Sequence, residues 1–215
     1  MRRFWGIPLC LFGCGSDDGV KRYNSSPEVS ITSHFNEEEI LEGYLVTFRG
    51  AASDPNHNNN ELTLRWSVEE EEVCSETLPA EDGSVSCDVA FGLDDAKLSL
   101  EATDPEGASA STSIVLTVLP TESPTAEIVR PVETGYYYSD QLITFEGVVD
   151  DGEDDSVELT ALWNSNLDGD LTSVDAVPDN EGDILGAVNL SEGQHFIKLS
   201  VTDSTGKQGS ASVMI

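Results

Sequence analysis

Few residues of this sequence could carry out catalysis. Its three histidines, His34, His57 and His195, lie in unrelated segments, and none has a serine or cysteine placed as a catalytic partner. The chain contains no Gly-x-Ser-x-Gly turn, which would present a nucleophilic serine, and no glycine-rich phosphate loop. Carboxylate pairs carry little information, because 41 acidic residues produce chance pairs throughout the chain. The sequence therefore predicts a protein that is not an enzyme.

Acidic turns are the stronger candidate for chemistry, because hard cations such as calcium bind clustered carboxylate and carbonyl oxygens. We expect a structural calcium ion where two turns of the second half meet the segment that precedes them. The predicted ligands are Asp150, Asp151, Asp154, Asp203 and Glu122. The alternative is a solvated acidic turn that keeps edge strands apart. No cofactor is required in either case.

The first half of the chain has fewer carboxylates at the corresponding places. They are Asp54, Asp104 and Glu106, so the sequence predicts a weaker calcium site there. Zinc is not expected in either half, because structural zinc favours four cysteine or histidine ligands at close spacing.

Cys74 and Cys87 are the two cysteines that lie beyond the N-terminal segment, and we expect them to form a disulfide. Their counterparts in the second half, 97 residues later, are the apolar residues Leu171 and Ile184. This substitution suggests that the two positions face each other across neighbouring strands. Closing a loop of this length contributes about 3 kcal/mol in an oxidising compartment. Two free thiols are the alternative.

Tyr136, Tyr137 and Tyr138 form the second candidate contact site. Three consecutive residues on a strand cannot all point inward, so at least one ring should meet solvent. Such rings stack on sugars and are favoured in protein contacts. Packing against the linker or a neighbouring strand is the alternative.

The sequence that must position these residues is duplicated in the chain. Residues 45–50 (LVTFRG) match residues 142–147 (LITFEG), and residues 61–66 (ELTLRW) match residues 158–163 (ELTALW), both at an offset of 97. Thr103-Asp104 matches Thr202-Asp203 at an offset of 99. The sequence thus predicts two modules, residues 27–119 and 125–215, joined by a linker at residues 120–124 that contains two prolines.

Within each module the apolar residues alternate with polar ones, as in half-buried antiparallel strands. Leu62, Leu64 and Trp66 show this pattern. Short strands with a tryptophan on the third predict an all-β fold of two tandem immunoglobulin-like sandwiches. We expect Trp66 and Trp163 to fill the space between the sheets; an exposed, ligand-stacking role is the alternative.

The second module resembles bacterial PKD-type (polycystic kidney disease) and related Ig-like modules. The resemblance lies in residues 190–206 (LSEGQHFIKLSVTDSTG) and in Trp163 with the following NSNLDG, and it extends more loosely to Trp66 and residues 100–107 of the first module. It implies a spacer, an adhesive unit, or a contact for extracellular protein or carbohydrate. Some modules of this kind hold calcium near the end where the acidic turns lie.

The N-terminus is typical of an exported protein. Two arginines precede a mostly apolar run that is too short for a bilayer core, which needs about 20 residues. Leu11-Phe12-Gly13-Cys14 resembles a lipobox, which implies lipidation of Cys14 and a place in the bacterial cell envelope, at the outer membrane or cell surface. Residues 1–14 would be the signal peptide and residues 15–26 a flexible tether. An ordinary signal peptide with incidental cysteines is the alternative.

A net charge of −31 argues against nucleic-acid binding, because affinity for phosphates comes largely from lysine and arginine. The sequence favours a non-catalytic surface lipoprotein, attached to the membrane through its lipid, whose modules bind or space something outside the cell. The alternative is an accessory front end of a longer secreted hydrolase, because alignment with the first module ends the last strand at Ile215, before the counterparts of Thr117 and Val118.

Overall fold

A computed structural model describes residues 23–215, which form two β-sandwiches in tandem. The helical content of this part of the chain is two single-turn 3-10 helices, Asn59–Glu61 and Ser156–Glu158, which occupy equivalent places in the two modules. The predicted all-β fold class is therefore confirmed. None of the helices in residues 23–215 is long and apolar enough to cross a membrane.

The first module contains nine strands. They are β1 (Glu28–Ile31), β2 (Glu39–Leu41), β3 (Leu45–Ser53), β4 (Thr63–Val68), β5 (Glu71–Thr77), β6 (Ser84–Ala90), β7 (Lys97–Thr103), β8 (Ser109–Val115) and β9 (Thr117–Leu119). One sheet has the order β1-β3-β6 and the facing sheet has the order β5-β4-β7-β8, both antiparallel. Strands β2 and β9 form a short parallel pair.

The second module contains seven strands. They are β10 (Thr125–Arg130), β11 (Ile143–Asp150), β12 (Thr160–Ser165), β13 (Gly169–Asp170), β14 (Asp183–Val188), β15 (Phe196–Thr202) and β16 (Gln208–Met214). The sheets β10-β11-β14 and β13-β12-β15-β16 repeat the antiparallel arrangement of the first module.

Each module packs its core around one tryptophan. Trp66 on β4 and Trp163 on β12 are both 0% exposed, which confirms their predicted place between the sheets. The facing strand carries a glycine at the point of contact, Gly50 in the first module and Gly147 in the second. These glycines leave room for the indole rings, so the two residue types are matched across the core.

Gly50→Ala should destabilise the first module by about 1 to 3 kcal/mol, because it overpacks a full core. A Cβ at this position would lie 2.4 Å from Leu100 Cδ2, 3.0 Å from the Ser30 carbonyl oxygen and 3.2 Å from the Trp66 ring. Urea unfolding measures the effect. Gly152→Ala is the matched control, since its Cβ would meet nothing within 4 Å; equal losses from the two variants would contradict this packing argument.

Candidate functional site

The acidic turns of each module meet at one end of its sandwich. Asp54 follows β3 and Asp104 follows β7, and their counterparts Asp151 and Asp203 follow β11 and β15. We call Asp54, His57 and Asp104 the first-module pole. The equivalent residues Asp151, Asp154 and Asp203 are the second-module pole.

Within the second-module pole, the turns are joined through Asp154. Its carboxylate accepts hydrogen bonds from the Ser204 backbone N–H (2.8 Å) and hydroxyl (2.9 Å). Asp151 Oδ1 accepts from the backbone N–H groups of Glu153 and Asp154, both at 2.9 Å. Asp151 Oδ2 and Glu153 Oε2 are buried without a hydrogen-bond partner among the described residues. This pole therefore holds carboxylate oxygens that the fold itself does not satisfy.

The five predicted calcium ligands are only partly brought together. Asp154 and Asp203 are buried and Asp151 is half-buried, whereas the Asp150 and Glu122 side chains are exposed. No three of the five offer ligand atoms within 4.8 Å of one another in residues 23–215. The calcium site of the second module remains a prediction.

The first-module pole is the more compact of the two. One ligand atom each from Asp54, His57 and Asp104 lies within 4.8 Å of the other two. Burial opposes ionisation of Asp104, but donors from the Asn24 side chain and from the backbone of Ala108 and Glu106 outweigh it and lower the pKa of this carboxyl. The sequence expected the weaker cluster here, because it did not count His57.

Hydrogen bonds across the linker fix the second-module pole against the first module. The Tyr44 hydroxyl donates to Asp154 Oδ1 at 2.6 Å. Lys207 Nζ donates to Glu42 Oε2 and to the Thr121 carbonyl oxygen, both at 2.7 Å. We call these contacts the junction.

Close backbone packing adds to the junction at Gly43. A Cβ there would lie 3.1 Å from Thr205 Cβ, and the residue has a φ of 79°, a conformation that glycine adopts without strain.

The junction shifts the pKa values of its own groups. Burial and the hydrogen bond to Asp154 raise the pKa of Tyr44 to about 12. Burial would raise the pKa of Asp154, but the donors from Tyr44 and Ser204 outweigh it and bring the pKa below the ordinary value. The hydrogen bond from Lys207, with its charge, lowers the pKa of Glu42. The junction therefore favours a neutral tyrosine beside an ionised carboxylate.

Tyr44→Phe should loosen the junction by about 1 to 2 kcal/mol, because it removes a hydrogen bond to a charged acceptor. Relaxation of backbone 15N nuclei should then show the two modules tumbling more independently. Tyr136→Phe is the matched control, since Tyr136 is 92% exposed. Unchanged tumbling of the Tyr44 variant would contradict a coupling role for this hydroxyl.

The junction should also depend on pH. The lowered pKa of Asp154 means that its carboxylate stabilises the junction above the ordinary pKa of an aspartate. This stabilisation is lost as pH falls through the pKa of Asp154 in the folded protein. The raised pKa of Tyr44 means that its neutral hydroxyl stabilises the junction below the ordinary pKa of a tyrosine. This stabilisation is lost as pH rises through about 12. Both losses should show as independent tumbling in the wild type. The Tyr44→Phe variant should not show the loss at alkaline pH.

The three tyrosines lie in the loop between β10 and β11 rather than on a strand, which corrects the sequence interpretation. Their first-module counterparts, 97 residues earlier, form β2, which exists because β9 pairs with it. Within residues 23–215, no strand pairs with residues 136–138.

The tyrosine rings divide between solvent and the module. Tyr136 and Tyr138 are 92% and 61% exposed, as expected for at least one ring. The Tyr137 hydroxyl accepts from the Val132 N–H at 2.7 Å and donates to the Val132 carbonyl oxygen at 2.9 Å. The three residues help line two grooves, of about 280 and 480 Å³.

Cys74 and Cys87 form the predicted disulfide, with Cα atoms 6.1 Å apart. The geometry differs from the expectation in one respect. Cys74 lies on β5 and Cys87 on β6, which belong to opposite sheets, so the bond joins the two layers of the first module instead of two neighbouring strands of one sheet. Leu171 and Ile184 are both buried in the second core. Cys14 and the lipobox lie outside the described residues.

Neither a protein family model nor a curated protein matches this sequence. The solved structures that it resembles include fibronectin(III)-like modules of CbhA from Clostridium thermocellum, at 14% identity over 87% of this chain and 93% of that one, with a TM-score of 0.42. The Ig1-2 module of the Drosophila receptor protein tyrosine phosphatase DLAR shares 17% identity over 88% and 97% of the two chains, with a TM-score of 0.34. A bacterial ice-binding adhesin shares 16% over 89% and 64%, with a TM-score of 0.40. All three likenesses concern the fold alone.

Proposed function

We propose that this protein is a non-catalytic, exported lipoprotein whose tandem modules act as a binding or spacer unit at the bacterial cell surface. The observation that carries the proposal is the junction. Tyr44 and Lys207 connect the two sandwiches by short hydrogen bonds, so the modules form a stalk of fixed orientation. A fixed stalk holds its far end at a set distance from an anchor. The lipobox-like Leu11-Phe12-Gly13-Cys14 supports such an anchor at the opposite end of the chain.

Metabolic labelling with an alkyne fatty acid tests the anchor. The wild-type chain should take up the label and partition with the membrane fraction, and Cys14→Ser should abolish both. Cys10→Ser is the matched control, because Cys10 lies outside the lipobox-like segment and should leave labelling unchanged. Equal labelling of the Cys14 variant and the wild type would overturn the lipoprotein proposal.

The exposed tyrosines support a contact for extracellular protein or carbohydrate. Tyr136 and Tyr138 present their rings beside the two grooves, and aromatic rings supply much of the binding energy at such contacts. A glycan array and binding to intact cells would test this role. The Tyr136→Ala/Tyr138→Ala variant should lose binding.

Leu185→Ala is the control for the tyrosine experiment, because Leu185 is an apolar residue of β14 that is 68% exposed and lines neither groove. Binding that survives the double substitution would contradict the proposed contact.

Calcium is the second proposal, and the unpartnered oxygens of Asp151 and Glu153 support it. A buried carboxylate oxygen without a donor is costly, and a hard cation would satisfy it. An ion at the second-module pole would stiffen the junction, because Asp154 belongs to both.

Calorimetric titration of metal-free protein with calcium would decide the matter. We expect heat of binding and a rise in the melting temperature of the second module, both lost in Asp151→Asn. Asp183→Asn is the control, as an exposed acidic residue of β14. No heat and no thermal shift at millimolar calcium would overturn the proposal.

A further inference from the structure

The first-module pole differs from its counterpart by one ligand type. His57 occupies the position that Asp154 occupies in the second module, at the offset of 97. Asp154 is used by the junction, where it accepts from Tyr44. The His57 imidazole instead lies beside two carboxylates, so the chemistry available at the two poles is not the same.

The fold holds His57 in place through Asp54. Asp54 Oδ1 accepts from the backbone N–H of Asn56 at 2.7 Å and of His57 at 2.9 Å, which closes the turn after β3. The same oxygen lies 3.1 Å from His57 Nδ1. Asp104 is fixed by the next turn, where its Oδ1 accepts from the backbone N–H groups of Glu106 and Ala108. Backbone hydrogen bonds therefore position the two carboxylates, and the Asp54 carboxylate positions the His57 ring.

One oxygen of this cluster is left unsatisfied. The Asp54 side chain is 0% exposed, and its Oδ2 has no hydrogen-bond partner among residues 23–215. The burial of a charged oxygen without a donor is costly, whereas a bound cation compensates for it. This oxygen points to a ligand independently of the clustering of the acidic groups.

The imidazole selects the kind of cation. Calcium takes oxygen ligands, whereas zinc and its neighbours bind imidazole nitrogen together with carboxylate oxygen at about 2.0 to 2.2 Å. A zinc site with three protein ligands is completed by water or by a fourth side chain. Water can supply the fourth position here; the Glu106 carboxylate, 52% exposed with its Oε1 3.9 Å from His57 Nε2, lies beside the cluster.

We propose that the first-module pole binds a zinc-class divalent ion through Asp54, His57 and Asp104. The site does not depend on the proposed surface function or on calcium at the second-module pole. It was missed in the sequence because two of its ligands are carboxylates, whereas the expected zinc pattern consisted of cysteines and histidines. The local signal was an aspartate three residues before a histidine in one turn.

Calorimetry on the tag-free full chain in mild detergent tests the proposal, with Cys10 and Cys14 blocked by alkylation so that free thiols cannot bind metal. Zinc should bind metal-free protein with a stoichiometry of one at this site, and millimolar calcium should not displace it. His57→Gln should weaken binding by about tenfold or more. The glutamine keeps a polar side chain beside Asp54 at a position where the histidine side chain is 12% exposed.

Two controls separate this site from the rest of the molecule. Asp151→Asn, the equivalent of Asp54 in the second module, should keep its zinc affinity, and so should His34→Gln. Proton NMR should show the ring signals of His57 shifting with zinc while those of His34 and His195 stay in place.

Three results would each overturn the proposal: no zinc binding in the micromolar range, full affinity in His57→Gln, or displacement of zinc by millimolar calcium. Failure of calcium to bind at the second-module pole would not contradict the zinc proposal.

Discussion

Trp163→Ala will lower the free energy of unfolding of the second module by about 3 to 5 kcal/mol, because it opens a large cavity in a closed core. The ring is 0% exposed and packs edge-on against Phe145, with ring centroids 5.0 Å apart. Gly147 lies against the ring on the facing sheet, and it has no side chain that could move into the cavity. Few single substitutions in this module should cost more.

Amide hydrogen exchange is the measurement of choice, because two modules do not unfold as one two-state unit. Protection should fall throughout β10 to β16 and stay largely unchanged in β3 to β8. Leu185→Ala is the control, since this residue of the same module is 68% exposed and should change stability by less than about 0.5 kcal/mol. Loss of protection in both modules to the same extent would contradict independent cores.

Loss of the disulfide should destabilise the first module by about 3 kcal/mol, given the length of the loop that it closes. Cys74→Ala/Cys87→Ala should therefore lower the melting temperature of that module, and a reducing agent should have the same effect on the wild type. The second module should not respond, because the residues at its equivalent positions, Leu171 and Ile184, pack in its core.

The second module also suggests how to repair this loss. Cys74→Leu/Cys87→Ile transplants its apolar pair and should recover part of the stability through buried surface. Differential scanning calorimetry with and without reductant checks both variants. A reductant that shifted the transition of the second module would contradict the assignment of the effect to the Cys74–Cys87 bond.

The cores could be predicted from the sequence because their signals are local and repeated. Alternation around Trp66 and Trp163 places these side chains inward whatever the exact strand pairing is, and the offset of 97 shows the same pattern twice. The disulfide was predictable for the same reason, since apolar residues replace both cysteines in the other copy. Its placement between sheets was not, because sequence alternation does not say to which sheet an edge strand belongs.

The junction could not be predicted, because its partners are far apart in the chain. Tyr44 and Asp154 are separated by 110 residues, and nothing in the sequence pairs Tyr44 with this one among 41 acidic residues. The tyrosine segment 136–138 was misassigned to a strand for a related reason. A strand needs a partner strand. In the first module β9 pairs with β2, whereas no strand among residues 23–215 pairs with residues 136–138.

The parallel pair of β2 and β9 determines how the tandem should respond to mechanical force. β9 ends at Leu119, directly before the linker, and the Leu119 carbonyl oxygen accepts from the Glu42 N–H at 2.9 Å. Since the two strands run in the same direction, a pull on the second module slides β9 along β2 and loads their hydrogen bonds together in shear rather than one at a time. Lys207 ties Glu42 to the second module, so part of the tension bypasses the linker and reaches β2 directly.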